Sequence, residues 1–481
     1  MIPNRFFFVC ILFLMSTAAV AQKESGRKIN VKITPLSNCT VYLGSYYGIG
    51  QLYADTALLD ASGSGVFRGK KILTPGMYFL ISPRNKILTE FLLDSNQRFS
   101  IVADTNQLAN ATISGSPENL VFKKYITFAS TFVEQTNKLN ENYKSAKSEN
   151  EKNSIVLKQR DWGRKLDKFK DSIIHTFPTS LTTLFLTAGK IPGLPDSMVV
   201  KTKADTLKAA RYIKKHFWDD VPFNDDRLLY TPFFEHKIDT YFNFYVPPQA
   251  DSVIKDMQYM LLYARTGKEM YPYLLNKFTN RYYNAQQVGQ NKVFLYLFNE
   301  FYQKGDTVRL NPQSKKLIFD RAYQLMANQV GDPAPALDMT NINNKPISLY
   351  NIKAPYTMVV FWDPSCTHCQ KEIPRIDSMY RAKWKGMGLK LFSVNINSAL
   401  QADVVKFIAD KHLDPEWVHG YQTDEAAKAI ASKGQLSYLQ LYDVADTPTL
   451  YLLDDKKRII AKGLRMEQMD ALMSVKENIK K

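Results

Sequence analysis

Two cysteines separated by two residues, Cys366 and Cys369, are the side chains of this sequence best suited to chemistry. Thiols at this spacing can alternate between a dithiol and a disulfide and so carry electrons. An apolar, β-branched and aromatic run over 356–362 precedes them, as in a strand buried on both faces, and helical spacing follows from 367 to about 385. Cys366 is therefore predicted to lie at the N-terminus of a helix. There, unpaired backbone N–H groups and the helix dipole lower the pKa of a thiol below its usual value of about 8.5.

The neighbouring residues suit the two sulfurs to different roles. Cys369, one turn into the helix, is predicted to be the buried thiol that resolves a mixed disulfide formed at Cys366. A protonated His368 adds positive potential beside both sulfurs, favours the thiolate form and makes the pair more oxidising. The middle residues Thr367 and His368 thus bear on the direction of electron flow, and the sequence leaves both directions open.

A structural zinc site is the alternative use of closely spaced cysteines, and it needs two further Cys or His ligands at suitable spacing. The chain has four cysteines, of which Cys10 and Cys39 are remote from the pair, and its six histidines show no ligand spacing. We therefore predict redox chemistry of the thiols themselves, with no metal and no other cofactor.

The N-terminus has the pattern of a secretory signal peptide: Arg5, an apolar run over 6–15, and small residues before a cut predicted after Ala21. The apolar run is too short to span a bilayer, so the mature chain is predicted to have no transmembrane span. Cys10 would be removed with the signal. An exported protein with so few cysteines is not a disulfide scaffold, which favours chemistry at the pair and a location in the periplasm or cell envelope.

The composition also bears on partners. The net charge is +17, and much of it lies in helical stretches such as 138–170, where lysines are interleaved with acids. Such stretches are typical of a solvated helix face rather than of a nucleic-acid-binding stripe, so we predict no nucleic-acid partner. Aspartates clustered over 219–226 are interpreted as helix caps beside proline-containing turns, with calcium binding as the alternative.

The 481 residues are enough for about three domains, and their texture changes twice. Short alternating runs bounded by turn signals predict an N-terminal antiparallel β-sandwich. Segments rich in Lys, Glu and Asn then predict a central all-α region, and strands alternating with helices predict a C-terminal α/β domain. The predicted boundaries are 1–21 for the signal peptide, 22–115 for the sandwich, 116–330 for the helical domain and 331–481 for the α/β domain.

The individual elements follow from the same patterns. Strands of the sandwich are predicted at 29–33, 40–43, 65–69, 77–81, 90–93, 99–102 and 111–113. Cys39 lies beside one of them and is expected to be a half-buried apolar side chain rather than a reactive thiol. In the α/β domain, strands are predicted at 389–397, 449–453 and 458–461, and helices at 400–411, 424–432 and from 466 onward.

Four motifs of the last 150 or so residues resemble the TlpA/ResA type of thiol-disulfide oxidoreductase, a family with the thioredoxin fold. They are Gly331-Asp332-Pro333-Ala334-Pro335, Trp362-Asp363-Pro364-Ser365-Cys366-Thr367-His368-Cys369, Glu372-Ile373-Pro374 and Thr447-Pro448-Thr449. The resemblance implies an enzyme that exchanges disulfides with protein substrates in the cell envelope and receives electrons from a membrane-side or envelope donor.

The resemblance also assigns roles to residues around the pair. It implies that Pro448 follows a cis peptide bond and packs against the dithiol, and that Thr447 offers its backbone to an extended substrate. It implies that Glu372 handles the proton of Cys369, one helical turn away. Side chains expected to contact substrate are Trp362, Pro364 and His368.

Two other functions compete with this prediction. A peroxiredoxin shares the fold, but the positions that must be Thr or Ser and Pro relative to its reactive cysteine are Asp363 and Val359 if that cysteine is Cys366. They are Cys366 and Trp362 if it is Cys369, so neither choice fits. The second competitor is a binding protein that uses its upstream domains to recognise a partner and this domain as a scaffold; the intact dithiol argues against it.

Overall fold

A computed structural model describes residues 26–195, 197–285, 287, 289–307 and 309–480. The predicted signal peptide and Cys10 lie outside the described residues. The chain forms two compact units, one with the described residues up to Val246 together with Tyr263–Met270, the other with Pro247–Leu262 and the residues from Tyr271 onward. None of the described helices is both long and apolar enough to cross a membrane.

The first unit begins with two sheets that enclose an apolar core. Their strands are β1 (Arg27–Thr34), β2 (Thr40–Tyr47), β3 (Gly50–Leu58), β4 (Ser64–Gly69), β5 (Gly76–Ile81), β6 (Ile87–Leu93), β7 (Arg98–Asp104) and β8 (Thr112–Ser114). Within the described residues, the sheets have the orders β4-β1-β7-β8 and β3-β2-β5-β6. Side chains such as Val31, Phe67 and Phe91 alternate inward along the strands and fill the space between the sheets.

The predicted sandwich is therefore confirmed, with two differences in detail. Strand β1 pairs in parallel with β7, whereas the other strand pairs described in these two sheets are antiparallel. Strand β3 was not predicted, because most of its side chains are exposed and give no alternation to recognise. It is held at the edge of its sheet by pairing with β2 alone.

Helices follow the sandwich, as predicted. They are α1 (Pro117–Ser145), α2 (Glu149–Thr176), α3 (Leu181–Gly189), α4 (Lys203–His216), α5 (Phe234–Phe244), α6 (Ala250–Ala264), α7 (Met270–Tyr283), α8 (Asn291–Leu297) and α9 (Pro312–Met326). The interpretation of the aspartate cluster is confirmed for two residues: Asp225 caps a 3₁₀ turn, and Asp226 accepts hydrogen bonds from backbone N–H groups at the start of α7.

The rest of the second unit is a mixed sheet covered by helices. Its strands are β9 (Asp338–Asn341), β10 (Pro346–Ser348), β11 (Tyr356–Trp362), β12 (Leu389–Asn395), β13 (Val418–Tyr421), β14 (Thr449–Leu453) and β15 (Ile459–Lys462). Its helices are α10 (Thr367–Met379), α11 (Gln401–Asp410), α12 (Asp424–Ser432), α13 (Tyr438–Leu441) and α14 (Met466–Lys480). The strand order is β10-β9-β13-β12-β11-β14-β15 within the described residues.

Strand β11 lies in the middle of this sheet and is buried along its whole length. It pairs in parallel with β12 and antiparallel with β14. Met358 and Val360 face one apolar core, which also contains Ile373 of α10, while Val359 and Phe361 face a second core on the other side of the sheet. Burial on both faces explains why the strand has no alternating pattern, and the predicted α/β thioredoxin fold is confirmed.

Candidate functional site

The chain turns sharply between β11 and α10, and this turn presents the first cysteine. The Asp363 carboxylate accepts hydrogen bonds from the backbone N–H (2.7 Å) and hydroxyl (2.6 Å) of Ser365, and the Asp363 carbonyl accepts one from the Cys366 N–H at 3.1 Å. Cys366 is the N-cap residue of α10, and its sulfur accepts a hydrogen bond from the Cys369 N–H at 3.5 Å. The helix N-terminus is thus capped by a sulfur atom.

This position changes the acidity of Cys366 in the predicted direction. Burial acts to raise the pKa of the thiol, but hydrogen bonds from the backbone N–H groups of Cys369 and His368 stabilise the thiolate and bring the pKa below its ordinary value. The side chain is half-buried, so a reacting sulfur can reach it. Cys366 therefore combines access from solvent with an increased thiolate population.

Cys369 has the opposite character. Its side chain is fully buried in the core between the sheet and α10, which confirms the predicted burial. Burial raises the pKa of Cys369 to about 11. Cys39, Cys366 and Cys369 are free thiols in the described part of the chain. Cys366 is the more readily ionised member of the pair.

The loop before β14 covers the cysteines from the other side. The peptide bond between Thr447 and Pro448 is cis, as the resemblance implied. The Cys366 sulfur lies 3.5 Å from the Thr447 carbonyl oxygen. The Thr447 carbonyl thus lies beside the reactive sulfur, and its predicted pairing with an extended substrate stays a prediction.

Glu372 is committed to an ion pair on the surface of α10. Its carboxylate accepts a hydrogen bond from Arg375 at 2.5 Å, and Arg375 also binds Glu467 of α14 at 2.7 Å. The Glu372 side chain is 16% exposed. The predicted role of Glu372 in proton transfer stays a prediction, and it would have to compete with the ion pair to Arg375.

The three side chains predicted to contact substrate differ in their exposure. His368 is exposed at the start of α10. Trp362 is 1% exposed and packs on Phe407, with ring centroids 5.2 Å apart, and Pro364 is buried in the turn. The two buried residues support the turn, and their contact with substrate stays a prediction. Val360, six residues before Cys366 on β11, is fully buried in apolar surroundings.

A cavity of about 1260 Å³ lies entirely within the second unit, and it is bordered by His368 and Pro448, which are neighbours of the pair, while neither cysteine is among its lining residues. Its lining includes His368, Glu372 and Pro448, which were predicted from sequence. It also includes residues that sequence reasoning missed, namely Ala285, Asn291, Lys292, Arg321, Gln329, Asp443, Lys462 and Arg465. These are distant in sequence from the cysteines and have no motif of their own, so only the folded chain brings them to the site.

Comparisons with known proteins agree with this geometry. Residues 330–462 match the AhpC/TSA family, and residues 28–122 and 136–315 match two domains of unknown function, DUF4369 and DUF5106. The sporulation thiol-disulfide oxidoreductase A of Bacillus subtilis is 33% identical over 143 residues, which cover 29% of this chain and 77% of that protein. The thiol-disulfide oxidoreductase ResA of Bacillus cereus is 27% identical over 136 residues, 28% of this chain and 69% of that protein.

Among solved structures, a thiol:disulfide interchange protein from a Bacteroides species is similar to this chain. It is 26% identical, with 32% of this chain and 91% of that chain covered, and the TM-score is 0.26.

Proposed function

We propose that this chain, which belongs to the thiol-disulfide oxidoreductase family, exchanges disulfides with protein substrates in the periplasm or cell envelope through Cys366 and Cys369. The observation that carries the proposal is the contrast between the two thiols. Cys366 is half-buried at a helix N-terminus with a lowered pKa, whereas Cys369 is buried with its pKa raised to about 11. The envelope location rests on the predicted signal peptide, and a membrane-side or envelope protein is proposed as the electron donor.

The reaction takes place in two displacements. In the direction of substrate reduction, the Cys366 thiolate attacks one sulfur of a substrate disulfide; a new S–S bond forms and the other substrate sulfur leaves as a thiolate. Cys369 then loses its proton and attacks the Cys366 sulfur, which releases the second substrate thiolate and leaves a Cys366–Cys369 disulfide. The substrate gains two electrons and the pair loses two. The reverse sequence oxidises a substrate dithiol.

The surrounding residues support these steps. Backbone N–H groups of His368 and Cys369 stabilise Cys366 as the attacking and leaving thiolate. The Thr447 carbonyl and the cis Pro448 position an extended substrate against the Cys366 sulfur. Glu372, one turn after Cys369, is proposed to accept the Cys369 proton when its ion pair with Arg375 opens.

Trapping the intermediate tests the proposal directly. Cys369→Ser cannot resolve a mixed disulfide, so we expect it to accumulate covalent adducts with envelope proteins that dithiothreitol releases. Cys366→Ser is the matched control, since it retains one thiol of the pair but lacks the attacking sulfur. A folded Cys369→Ser protein that captures no partner from an envelope extract would contradict the proposal.

The reduction potential assigns the direction of transfer. It is measured by equilibrating the pair with glutathione buffers and quantifying the two thiols by alkylation. A value near the roughly −270 mV of thioredoxin corresponds to a reductase, and one near about −120 mV corresponds to an oxidase.

A further inference from the structure

The cavity beside the pair has two walls from different parts of the second unit. One wall contains the start of α10, the cis-proline loop and the start of α14. The other, the helical wall, consists of Ala285, Gly289, Asn291, Lys292 and Gln329, which lie between α7 and α8, at the start of α8 and after α9. A substrate that reaches Cys366 from this side therefore lies against residues outside the part of the chain that matches the AhpC/TSA family.

Polar contacts in the interior hold the helical wall in place. Arg321 of α9 forms a two-pronged ion pair with Asp443 and also donates a hydrogen bond to the Tyr283 carbonyl at 2.9 Å. Its side chain is 11% exposed. A guanidinium that is shielded from water and bound through both prongs fixes orientation as well as distance. The wall is thus attached to the loop before β14 on one side and to the end of α7 on the other.

A second set of contacts attaches the wall to the sheet. The Asn328 amide donates a hydrogen bond to the Leu441 carbonyl at 2.8 Å and accepts one from the Lys462 ammonium group. Asn328 itself is fully buried. Burial lowers the pKa of Lys462 to about 8. The Asn328 amide offsets part of the cost of removing this lysine from water, and the two contacts attach the segment after α9 to the sheet.

Most charged side chains that line the cavity are already paired with one another. Arg321 pairs with Asp443, Arg375 pairs with both Glu372 and Glu467, and Lys462 binds Asn328. Among the described lining residues, Lys292, Arg465 and Asp446 form no side-chain hydrogen bond or ion pair, although Arg465 interacts electrostatically with Glu467. The net charge of the lining is therefore positive by one, apart from His368, and Lys292 places an exposed positive charge on the helical wall.

The size of the cavity indicates the kind of ligand. Sites for small molecules occupy roughly 300–1,000 Å³, whereas this cavity measures about 1260 Å³. Its lining alternates apolar side chains such as Leu464 and Leu472 with polar ones. A space of this size, lined by Pro448 and Thr449 of the loop that carries the Thr447 carbonyl, is large enough for a polypeptide segment.

We infer that the helical wall is a specificity element: it receives a substrate polypeptide whose reacting cysteine is flanked by acidic side chains, which Lys292 and Arg465 attract. This inference rests on the proposed thiol-disulfide exchange and adds the substrate class to it. The electron and proton transfers remain those at Cys366 and Cys369. Lys292 and Arg465 act only on the positioning of the polypeptide.

Charge reversal at Lys292 tests the recognition step. Two disulfide-linked peptides are compared on the full mature chain, identical except that the cysteine is flanked by Glu in one and by Lys in the other. We expect Lys292→Glu to lower kcat/KM for the Glu peptide about 5-fold and to raise it for the Lys peptide, since one reversed surface charge replaces an attraction by a repulsion. Lys428→Glu makes the same change on an exposed residue of α12 outside the cavity lining. It should leave both values unchanged.

A steric variant tests the wall without changing charge. Ala285 is half-buried in the helical wall, and a Trp side chain there would narrow the cavity. We expect Ala285→Trp to lower kcat/KM about 10-fold for a polypeptide disulfide by blocking its approach. The rate with the small aromatic disulfide 5,5′-dithiobis(2-nitrobenzoate) should stay the same. Ala427→Trp, at an exposed position of α12, is the matched control, and circular dichroism checks that each variant is folded.

The outcomes separate this inference from the proposed function. If folded Lys292→Glu changes neither peptide's kcat/KM, the acidic-substrate assignment is wrong. If folded Ala285→Trp reduces both substrates equally or neither of them, the helical wall does not contact the polypeptide. If the unmodified protein exchanges no disulfide, with peptides or with the small reagent, the proposed function itself fails.

Discussion

The two β-regions of this protein place a cysteine in contrasting surroundings. Cys39 lies just before β2 and packs, half-buried, against the apolar core of the sandwich. Cys366 is also half-buried, but it follows a strand that is buried on both faces and caps the helix after it. In a sandwich, alternate side chains point into one core. The end of a central strand covered on both faces instead leads into a helix, and the backbone N–H groups of the first helical turn have no partner within that helix. Two half-buried cysteines therefore lie in different surroundings, and only Cys366 has free backbone N–H groups of a helix beside its sulfur.

Removing each cysteine in turn gives the largest expected difference between these regions. Cys366→Ser should reduce insulin-disulfide exchange to the uncatalysed background, because the attacking sulfur is lost. Cys39→Ser should retain the full rate. The assay follows insulin precipitation with dithiothreitol as the final reductant. Loss of activity in Cys39→Ser, with the fold intact, would mean that the sandwich takes part in the chemistry.

Matched core mutations separate stability from chemistry. Phe91 of the sandwich and Phe361 of β11 are both fully buried, so truncation of either to Ala should cost about 3–5 kcal/mol of local stability. Hydrogen exchange of the strands around each site measures this loss. We expect only Phe361→Ala to slow thiol exchange, because Phe361 lies five residues before Cys366 on the strand that leads to it. If Phe91→Ala slowed thiol exchange as much as Phe361→Ala, the two regions would not differ in their effect on the chemistry.

The pH dependence of alkylation compares the two sulfurs of the pair. Cys366 has a lowered pKa, so its thiolate persists at pH values where an ordinary thiol, with a pKa of about 8.5, is protonated. As the pH is lowered, the rate of its reaction with iodoacetamide should therefore decline at a lower pH than the rate of a free thiol does. Cys369, with a pKa of about 11 and no exposure, should react at least about 10-fold more slowly at pH 8. Mass spectrometry of the alkylated peptides quantifies each site, and similar rates at the two would contradict the asymmetry.

The smallest expected effect concerns Glu372. Its side chain already binds Arg375, so loss of its charge should slow the resolving step by only about 3-fold, if it moves the Cys369 proton. The readout is the rate of adduct release as a function of pH, compared between Glu372→Gln and Arg375→Gln. If Glu372 transfers the proton, the pH profile of adduct release should shift in Glu372→Gln. If the ion pair is only structural, both variants should release the adduct at similar rates, with no shift of the profile.

The sequence was most informative where burial or capping leaves a pattern along the chain. The helix at Asp424–Ser432 and the strand at Thr449–Leu453 were predicted with the bounds that the structure has. Strand Val418–Tyr421 was missed, because four residues that include His419 and Gly420 show no period. The fold buries that histidine against Ser393, at 2.7 Å, and burial lowers its pKa to about 4. The sequence does not show that His419 is buried, because the Ser393 side chain that pairs with it comes from another strand.

The candidate site also combines features that the sequence predicts with features that depend on tertiary packing. The spacing of Cys366 and Cys369 after an apolar run was sufficient to predict the helix start at Cys366 and the lowered pKa of its thiol, since these depend on neighbours along the chain. The burial of Cys369 was also predicted, but the core that buries it is assembled from several elements. Trp362 is 1% exposed, and its expected contact with substrate stays a prediction. Its burial depends on packing against Phe407, which lies in a different helix.

The chain alone identifies the reactive dithiol, because its spacing after an apolar run places one thiol at a strand-to-helix junction, where local backbone N–H groups act on it, and the other a turn later. The core that buries Cys369 and the residues around both thiols come together only in the fold. Thr447 reaches to within 3.5 Å of the Cys366 sulfur, and Arg375 links Glu372 to Glu467. Contacts between residues so far apart arise when several elements pack on one sheet, and no periodicity or spacing in the chain encodes them.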